Sequence, residues 1–307
     1  MTTATQTKLR LGHSPDPDDA FMWWPLANFT LQDGTELRPL VDTAGFEFVH
    51  VLEDIQSLNQ RSEQAELEIT AISMHQYPFV ADRYALTSCG ASMGEGYGPM
   101  IVSERKSGGE GAKVAGPGEL AGKRLAIPGE RTTAWLTCQL LLKEHGLSAE
   151  RLQVEAVAFD EIIPAVAEGR FDAGLIIHEG QLTYKDAGLA LVTDLGQWWG
   201  ETRGLPLPLG GNAIRRDLGE RMPAVCRVLL DSIQYAMEHR EEAVSFALRY
   251  ARGMGKELAD AFVGMYVNDK TLHYGDRGKR AVQRLYDEAA AAGLIPAVGE
   301  VDFVEPG

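Results

Sequence analysis

Short apolar runs alternate along this chain with longer segments of helical spacing, the pattern of an α/β fold. Leu9 to Leu11 runs into Gly12-His13-Ser14-Pro15-Asp16-Pro17-Asp18-Asp19 and then Ala20 to Phe29, which predicts a short strand, a tight loop and a helix interrupted by Pro25. Asp18 or Asp19 is placed to cap that helix. Phe46 to Val51 reads as the next strand. In the acidic segment that follows, Leu52, Ile55 and Leu58 share one helical face, with Asn59 just beyond them. ITAISMHQYPFVADRYALTSC gives two strands around a helix, and Ser73 ends the first, where an open parallel sheet presents ligand contacts.

Between Ser88 and Glu119 glycine rises sharply around the strand Met100-Ile101-Val102, predicting a crossover between lobes and a surface loop. A second alternation then begins: strand KRLAIP, loop GERTT, helix AWLTCQLLLKEHG, strand VEAVAF, helix DEIIPAVAEG and strand DAGLIIH. After LPLPLGGNAI the chain turns helical, in DSIQYAMEHREEAVSFALRYA and GKRAVQRLYDEAAAAG. The expected architecture is discontinuous: residues 1–103 and 207–307 form one α/β lobe with C-terminal helices, and residues 104–206 form the second. A continuous two-domain split is the competing arrangement. No solenoid period or sustained heptad appears.

The 307 residues exceed what one simple core usually fills, which supports two lobes. Lys and Arg total 29 against 44 Asp and Glu, a net charge of -15 that disfavours nucleic acid and anionic membrane as partners. A small anion still binds such a protein locally. Cys89, Cys138 and Cys226 are widely spaced with no CxxC pair, which fits a reducing compartment. No apolar run approaches the roughly 20 residues of a membrane span, and the N-terminal segment has no signal-like stretch. A cytoplasmic, soluble protein is expected; its oligomeric state is left open by these features.

His178, in LIIHEG, sits where an apolar strand gives way to a glycine-containing loop, a position that exposes imidazole to a cleft for proton transfer; a structural histidine is the plainer alternative. GERTTA opens an apolar helix, so Thr132 or Thr133 caps its first turn while free amides attract a carboxylate or phosphate. The segment lacks the lysine of a P-loop. Ser73 and Asn59 offer a hydroxyl and an amide for a polar ligand or for a buried backbone group. Met74, Tyr77, Trp198 and Trp199 line either an aromatic pocket or a packed lobe interface. The seven histidines form no HExxH, the cluster Asp16, Asp18 and Asp19 is no coordination set by adjacency alone, and no strand-linked GxGxxG is present. Neither a metal nor a nucleotide cofactor is expected.

LRLGHSPDPDDAFM, VLEDIQSLNQ, AISMHQY, GYGPMIV, LAIPGERTTAW, DEIIPAVAEGRFDAGLIIHEGQLTY and DLGQWWGETRGLPLPLGGNAI, in that order, resemble the 1,4-dihydroxy-6-naphthoate synthase family of the futalosine route to menaquinone. The resemblance spans most of the chain. It implies an α/β fold like a type 2 periplasmic binding protein, two lobes with a central cleft, in a cofactor-independent cytoplasmic lyase. It also implies conversion of cyclic dehypoxanthine futalosine to 1,4-dihydroxy-6-naphthoate and dihydroxyacetone. By the same resemblance His178 is the proton acceptor, and Asn59, Ala71, Ile72, Ser73, Thr133 and Ala134 contact a small carboxylated substrate. Thr132 joins them from helix-start chemistry. The opening loop departs from the family's SPCPNDTF pattern at Asp16, Asp18 and Ala20, so nothing specific to cysteine carries over to Asp16; Gly180 replaces the serine of HES variants. The related chorismate dehydratases are the enzymatic alternative, and a solute-binding protein for a carboxylated ligand is the non-catalytic one.

Overall fold

The computed structural model describes residues 6–106, 111–251 and 254–307, and two sheets organise them. The chain begins with β1 (Thr7–His13), α1 (Pro17–Trp23), β2 (Phe46–Leu52), α2 (Ile55–Ser62), β3 (Ile69–Ser73), β4 (Tyr84–Thr87) and β5 (Ser92–Gly94). It then crosses into β6 (Met100–Glu104), β7 (Arg124–Ile127), α3 (Thr133–Glu144), β8 (Gln153–Ala156), α4 (Ile162–Ala167), β9 (Ala173–Ile176), α5 (Gly180–Thr183), β10 (Leu189–Asp194) and α6 (Leu195–Arg203). It returns as β11 (Leu207–Arg215) and ends with α7 (Met222–Glu238), α8 (Arg240–Ala247), α9 (Lys256–Tyr266), α10 (Asp269–Leu272), α11 (Gly275–Ala291) and β12 (Phe303–Val304).

Among the described residues the first sheet runs β12-β4-β11-β3-β1-β2, with β5 also on β11; the second runs β10-β6-β9-β7-β8. β11 and β12 thus return to the sheet that the N-terminal strands began. Both sheets are mixed: β1 pairs in parallel with β2 and β3, while β11 lies antiparallel to β3, from Gly210 opposite Ser73 to Ile214 opposite Ile69. β6 pairs with β9 and β10, so it belongs wholly to the second sheet. The expected boundary at residue 103 is therefore too late: the chain changes sheets before Met100, because Ile101 and Val102 bury their side chains among the second lobe's strands. Part of the expected glycine-rich surface loop, 107–110, lies outside the described residues.

Several local expectations shift for identifiable reasons. The first helix starts three residues before Ala20, with Pro17 at its first position, and gives way to a tight turn at Trp24–Leu26 that contains Pro25. Leu52 ends β2 and is exposed, so only Leu58, with Ile55 partly buried, packs inward beside Leu67 and Ala71. Asp54, not a hydrophobic position, sets the start of α2 by accepting hydrogen bonds from the Gln56 and Ser57 amides at 3.0 and 3.1 Å. The long amphipathic stretch after Asp231 breaks at His239 into α7 and α8.

One apolar cluster bridges the sheets, running from Met74 and Tyr77 through Trp199 to Leu136 and Leu125. At the first crossing, backbone meets backbone: Leu195 N–H donates to the Pro99 carbonyl at 2.9 Å, and a Cβ on Gly196 would collide with the Tyr97 carbonyl. No described helix is long and apolar enough to cross a membrane. Gly196→Ala should lower stability by about 1–3 kcal/mol in urea unfolding, because neither neighbour is a flexible side-chain end; an unchanged midpoint would show that the crossing yields freely.

Candidate active site

A cleft of about 850 Å³, partly open to solvent, lies between the lobes. Ser14, Asp18 and Asp19 wall one side, the end of β3 from Ala71 to Ser73 another, and Thr132 to Ala134 close the second lobe's side with Ile177 and His178. Leu209 to Asn212 of β11 form the floor, and Tyr266 enters from α9. This size suits a small metabolite.

β9 ends at Ile176, so His178 stands on the turn before α5 rather than on the strand itself. Its φ of +52° is a left-handed conformation that non-glycine residues rarely adopt and that costs on the order of 1–3 kcal/mol. The imidazole is held edge-on by Phe159, with ring centroids 4.9 Å apart, and lies 6.5 Å from the Tyr266 ring. Nε2 is 3.8 Å from Asp16 Oδ2, while Nδ1 is buried without a hydrogen-bond partner. The side chain remains 18% exposed, enough to meet a ligand in the cleft.

On the same lobe's wall, α3 begins. Thr132 is the cap: its hydroxyl accepts from Trp135 N–H at 3.3 Å and donates to the Gly129 carbonyl at 2.7 Å. Thr133 instead uses its hydroxyl between lobes, donating to the Leu209 carbonyl and accepting from His75 N–H at 3.3 Å. His75 Nδ1–H donates to the Thr132 carbonyl at 3.1 Å, and burial lowers this imidazole's pKa to about 4, so it stays neutral. With both hydroxyls engaged, the ligand-facing donors of this turn are the first-turn amides of Thr133 and Ala134, which have no acceptor within their helix.

Asn59 is fully buried and is absent from the cleft wall. Its Oδ1 accepts from Ser73 N–H at 3.0 Å, and its Nδ2 donates to Ser73 Oγ at 2.9 Å and to the Arg131 carbonyl at 3.4 Å. Ser73 Oγ, an acceptor toward Asn59, keeps its proton for the cleft. Asn59 therefore aims Ser73 from behind rather than touching the ligand space. Ala71 and Ile72 line the cleft through β3. Met74, Tyr77 and Trp199 are buried in the shared core, and Trp198 packs under Arg203 with its indole N–H on Glu144 at 3.0 Å; the aromatic-pocket reading is replaced by packing.

The opening loop contributes what the sequence reading undervalued. Asp18 and Asp19 are not caps: the helix starts at Pro17, and Asp19 Oδ2 accepts from Ser14 N–H at 2.7 Å. All of α1 is buried, so burial raises the pKa of both carboxyls, Asp19 to about 6. Beneath the loop, His13 donates through Nδ1 to the Ser14 carbonyl at 3.0 Å, which leaves its Nε2 to accept from His50 Nδ1 at 2.8 Å. Burial lowers these imidazoles to about 4 and about 3. Gln181, whose amide donates to the Tyr266 hydroxyl at 2.5 Å, and Asn212, which donates to the Gly90 carbonyl at 3.0 Å, complete the polar lining. Both stand inside stretches that carry the family resemblance, with no role read for either there. Among the described residues no group of His, Cys, Asp or Glu is arranged to hold a metal ion, and the three thiols are free and buried.

Two α/β lobes on either side of such a cleft give the chain the fold of the periplasmic-binding-protein type. The alkanesulfonate-binding protein of Xanthomonas axonopodis pv. citri shares this fold, with a TM-score of 0.65 and 14% identity over 97% of this chain and 98% of that one. A protein of Archaeoglobus fulgidus of known crystal structure is nearer, with a TM-score of 0.79 and 43% identity over 94% of this chain and 98% of its own. The Menaquinone biosynthesis family model matches residues 9–291. The 1,4-dihydroxy-6-naphthoate synthase of Thermus thermophilus is 38% identical over 93% of this chain and 95% of its own length. That of Streptomyces coelicolor is 33% identical over 95% and 96%. The chain belongs to the 1,4-dihydroxy-6-naphthoate synthase family of menaquinone biosynthesis.

Two substitutions probe this geometry. Asn59→Ala strands the buried Ser73 amide and should cost about 2 kcal/mol in chemical denaturation; a neutral result would mean that Ser73 is held by other contacts. For Asp19 the folded pKa of about 6 lies above its ordinary 3.8, so the folded state binds the extra proton between these values and loses stability as pH rises through them. The melting temperature of Asp19→Asn relative to the parent should accordingly increase from pH 4 to pH 7, and a flat difference would contradict the shift.

Proposed function

We propose that this protein is a 1,4-dihydroxy-6-naphthoate synthase: a cofactor-independent lyase that converts cyclic dehypoxanthine futalosine to 1,4-dihydroxy-6-naphthoate and dihydroxyacetone, in the cytoplasm. The observation that carries the reading is one cleft whose second-lobe wall brings together His178 and the amide-bearing start of α3. The relatives supply the reaction, since both curated proteins carry that synthase name.

In this reading the substrate carboxylate sits on the Thr133 and Ala134 amides, where a helix N-terminus offsets the chain's net negative charge. The Ser73 hydroxyl donates to a carbonyl or hydroxyl oxygen. His178 removes the proton made acidic by an adjacent carbonyl; the C–H electrons form a double bond, the sugar-derived ring opens, and the three-carbon fragment separates. Aromatisation of the bicycle drives the sequence, and no oxidant or reductant enters. Fixing base and substrate in one cleft lowers the barrier by removing the search for alignment, and closure between lobes limits water.

Purified protein incubated with cyclic dehypoxanthine futalosine should yield both products by mass-resolved detection, while chorismate in a parallel reaction stays unchanged. His178→Ala and His178→Gln should each lower turnover by about 10²–10⁴-fold with the fold intact by circular dichroism. Unconverted substrate under conditions where it binds would defeat the synthase reading, and full activity in both variants would remove His178 as the base.

A further inference from the structure

A carboxylate is only one part of a sugar-derived substrate, and the α3 amides account for that part alone. We propose that Ser92, Asn212, Gln181 and Tyr266 form a hydroxyl-binding subsite that holds the three-carbon, sugar-derived fragment of the substrate. The inference rests on the synthase reading above and adds to it the orientation of the substrate. All four residues line the cleft, and the family resemblance gives none of them a role.

Three buried oxygens without a hydrogen-bond partner carry the assignment: Asn212 Oδ1, Gln181 Oε1 and Ser92 Oγ. Asn212 and Gln181 are only 2% and 5% exposed, and groups so buried are ordinarily paired. The Asn212 amide has a single orientation, because its Nδ2 donates to the Gly90 carbonyl at 3.0 Å and a carbonyl only accepts. Gly90, at φ +74°, permits this approach, since a Cβ there would collide with the same nitrogen. Asn212 Oδ1 is therefore an acceptor in need of a donor. Gln181 Nε2 donates to the Tyr266 hydroxyl at 2.5 Å, which leaves the phenol proton and Gln181 Oε1 as a donor and an acceptor side by side. Turning that amide over exchanges the two roles and keeps the pair. Burial keeps the phenol protonated. Ser92 Oγ adds one further donor and acceptor. Hydroxyl groups, which donate and accept at one atom, satisfy such a set, whereas a carboxylate has no proton to give Asn212 or Gln181.

β11 sets where this subsite stands. Gly210 pairs with Ser73 of β3 on one edge and with Ser92 of β5 on the other, so the two serines lie two strand spacings, roughly 10 Å, apart. α9 packs on β5 and brings Tyr266 to the Ser92 side. Gln181 reaches Tyr266 from the second lobe, one turn after His178, whose carbonyl accepts from Gln181 N–H at 3.2 Å. The His178 and Tyr266 ring centres are 6.5 Å apart, so the base stands beside the hydroxyl subsite. A substrate with its carboxylate on the α3 amides and its hydroxylated ring on Ser92 and Asn212 thus presents the sugar-derived carbons to the imidazole. After cleavage, the aromatic acid and the three-carbon fragment occupy different sets of partners.

Gln181→Met keeps the side-chain length without its hydrogen bonds, and Ser92→Ala removes an oxygen that holds no protein partner, so the latter should not lower the melting temperature of the ligand-free protein. Calorimetric titration in the His178→Ala background, where substrate persists, should show each substitution weakening cyclic dehypoxanthine futalosine about 3–10-fold. Affinity for 1,4-dihydroxy-6-naphthoate, from which the three-carbon fragment has gone, should change less than about twofold. Undiminished substrate affinity in both variants, or a loss shared equally by the naphthoate, overturns the subsite even if the wild type turns the substrate over. Selective loss of substrate affinity, in a protein whose wild type converts nothing, would instead defeat the synthase reading and leave the hydroxyl subsite established. A parent protein that binds no substrate overturns both.

Discussion

The arrangement rests on how the first turn of α3 is fastened to the other lobe. Thr133 Oγ1 donates to the Leu209 carbonyl on β11, His75 joins the Thr132 carbonyl through its ring and Thr133 through its amide, and Asn59 reaches the Arg131 carbonyl. Each contact joins residues far apart in sequence. Together they decide which polar groups are spent on structure and which remain for a ligand: the threonine hydroxyls and Asn59 are spent, while the first-turn amides and the Ser73 hydroxyl remain. The neutral state of His75 belongs to the same device, because a protonated imidazole in this buried position would introduce an uncompensated charge.

The cleft also resolves an apparent conflict between net charge and ligand class. A chain of net charge -15 repels anions at long range, yet only the local field matters within a closed site. The α3 start presents amides, whereas the opposing wall presents buried carboxyls. Burial raises the pKa of Asp18 well above the ordinary carboxyl range, so this wall is less anionic than its sequence suggests. The His13–His50 pair beneath it is likewise neutral, its tautomers set by the Ser14 carbonyl.

Much of this was legible in the chain before the structure. Alternating apolar runs gave both α/β lobes, and Ser73, Thr132 and His178 stand at element ends because that is where strands and helices stop in such folds. What escaped has physical reasons. β11 reads poorly because LPLPLGGNAI mixes proline and glycine, which weaken strand propensity, yet pairing on both edges holds it in the first sheet. Tyr266 and Gln181 meet across 85 residues of sequence, and no local period reports such a contact. For Asn59 the residues leave open a ligand group or a buried backbone group, and the resemblance implies a ligand contact, because spacing cannot separate a side chain that touches a ligand from one that orients the residue touching it. The acidic first turn of α1 looked like capping chemistry, since capping is the usual fate of aspartate at a helix start; only complete burial of that helix changes its meaning.

What separates an enzyme from a solute receptor on this scaffold is the kind of polar group left in the cleft. The fold is shared with an alkanesulfonate-binding protein at 14% identity, so fold alone does not imply chemistry. A receptor gains from donors and acceptors that match its ligand and from no group that exchanges protons with it. This cleft holds an imidazole on a left-handed turn, facing a wall of carboxyls whose burial is itself unfavourable. Both features cost stability, and stronger binding of a neutral or anionic ligand requires neither. In the proposed reading the imidazole takes a proton from a molecule held by the α3 amides and the Ser73 hydroxyl, and the turn after β9 fixes where that imidazole stands.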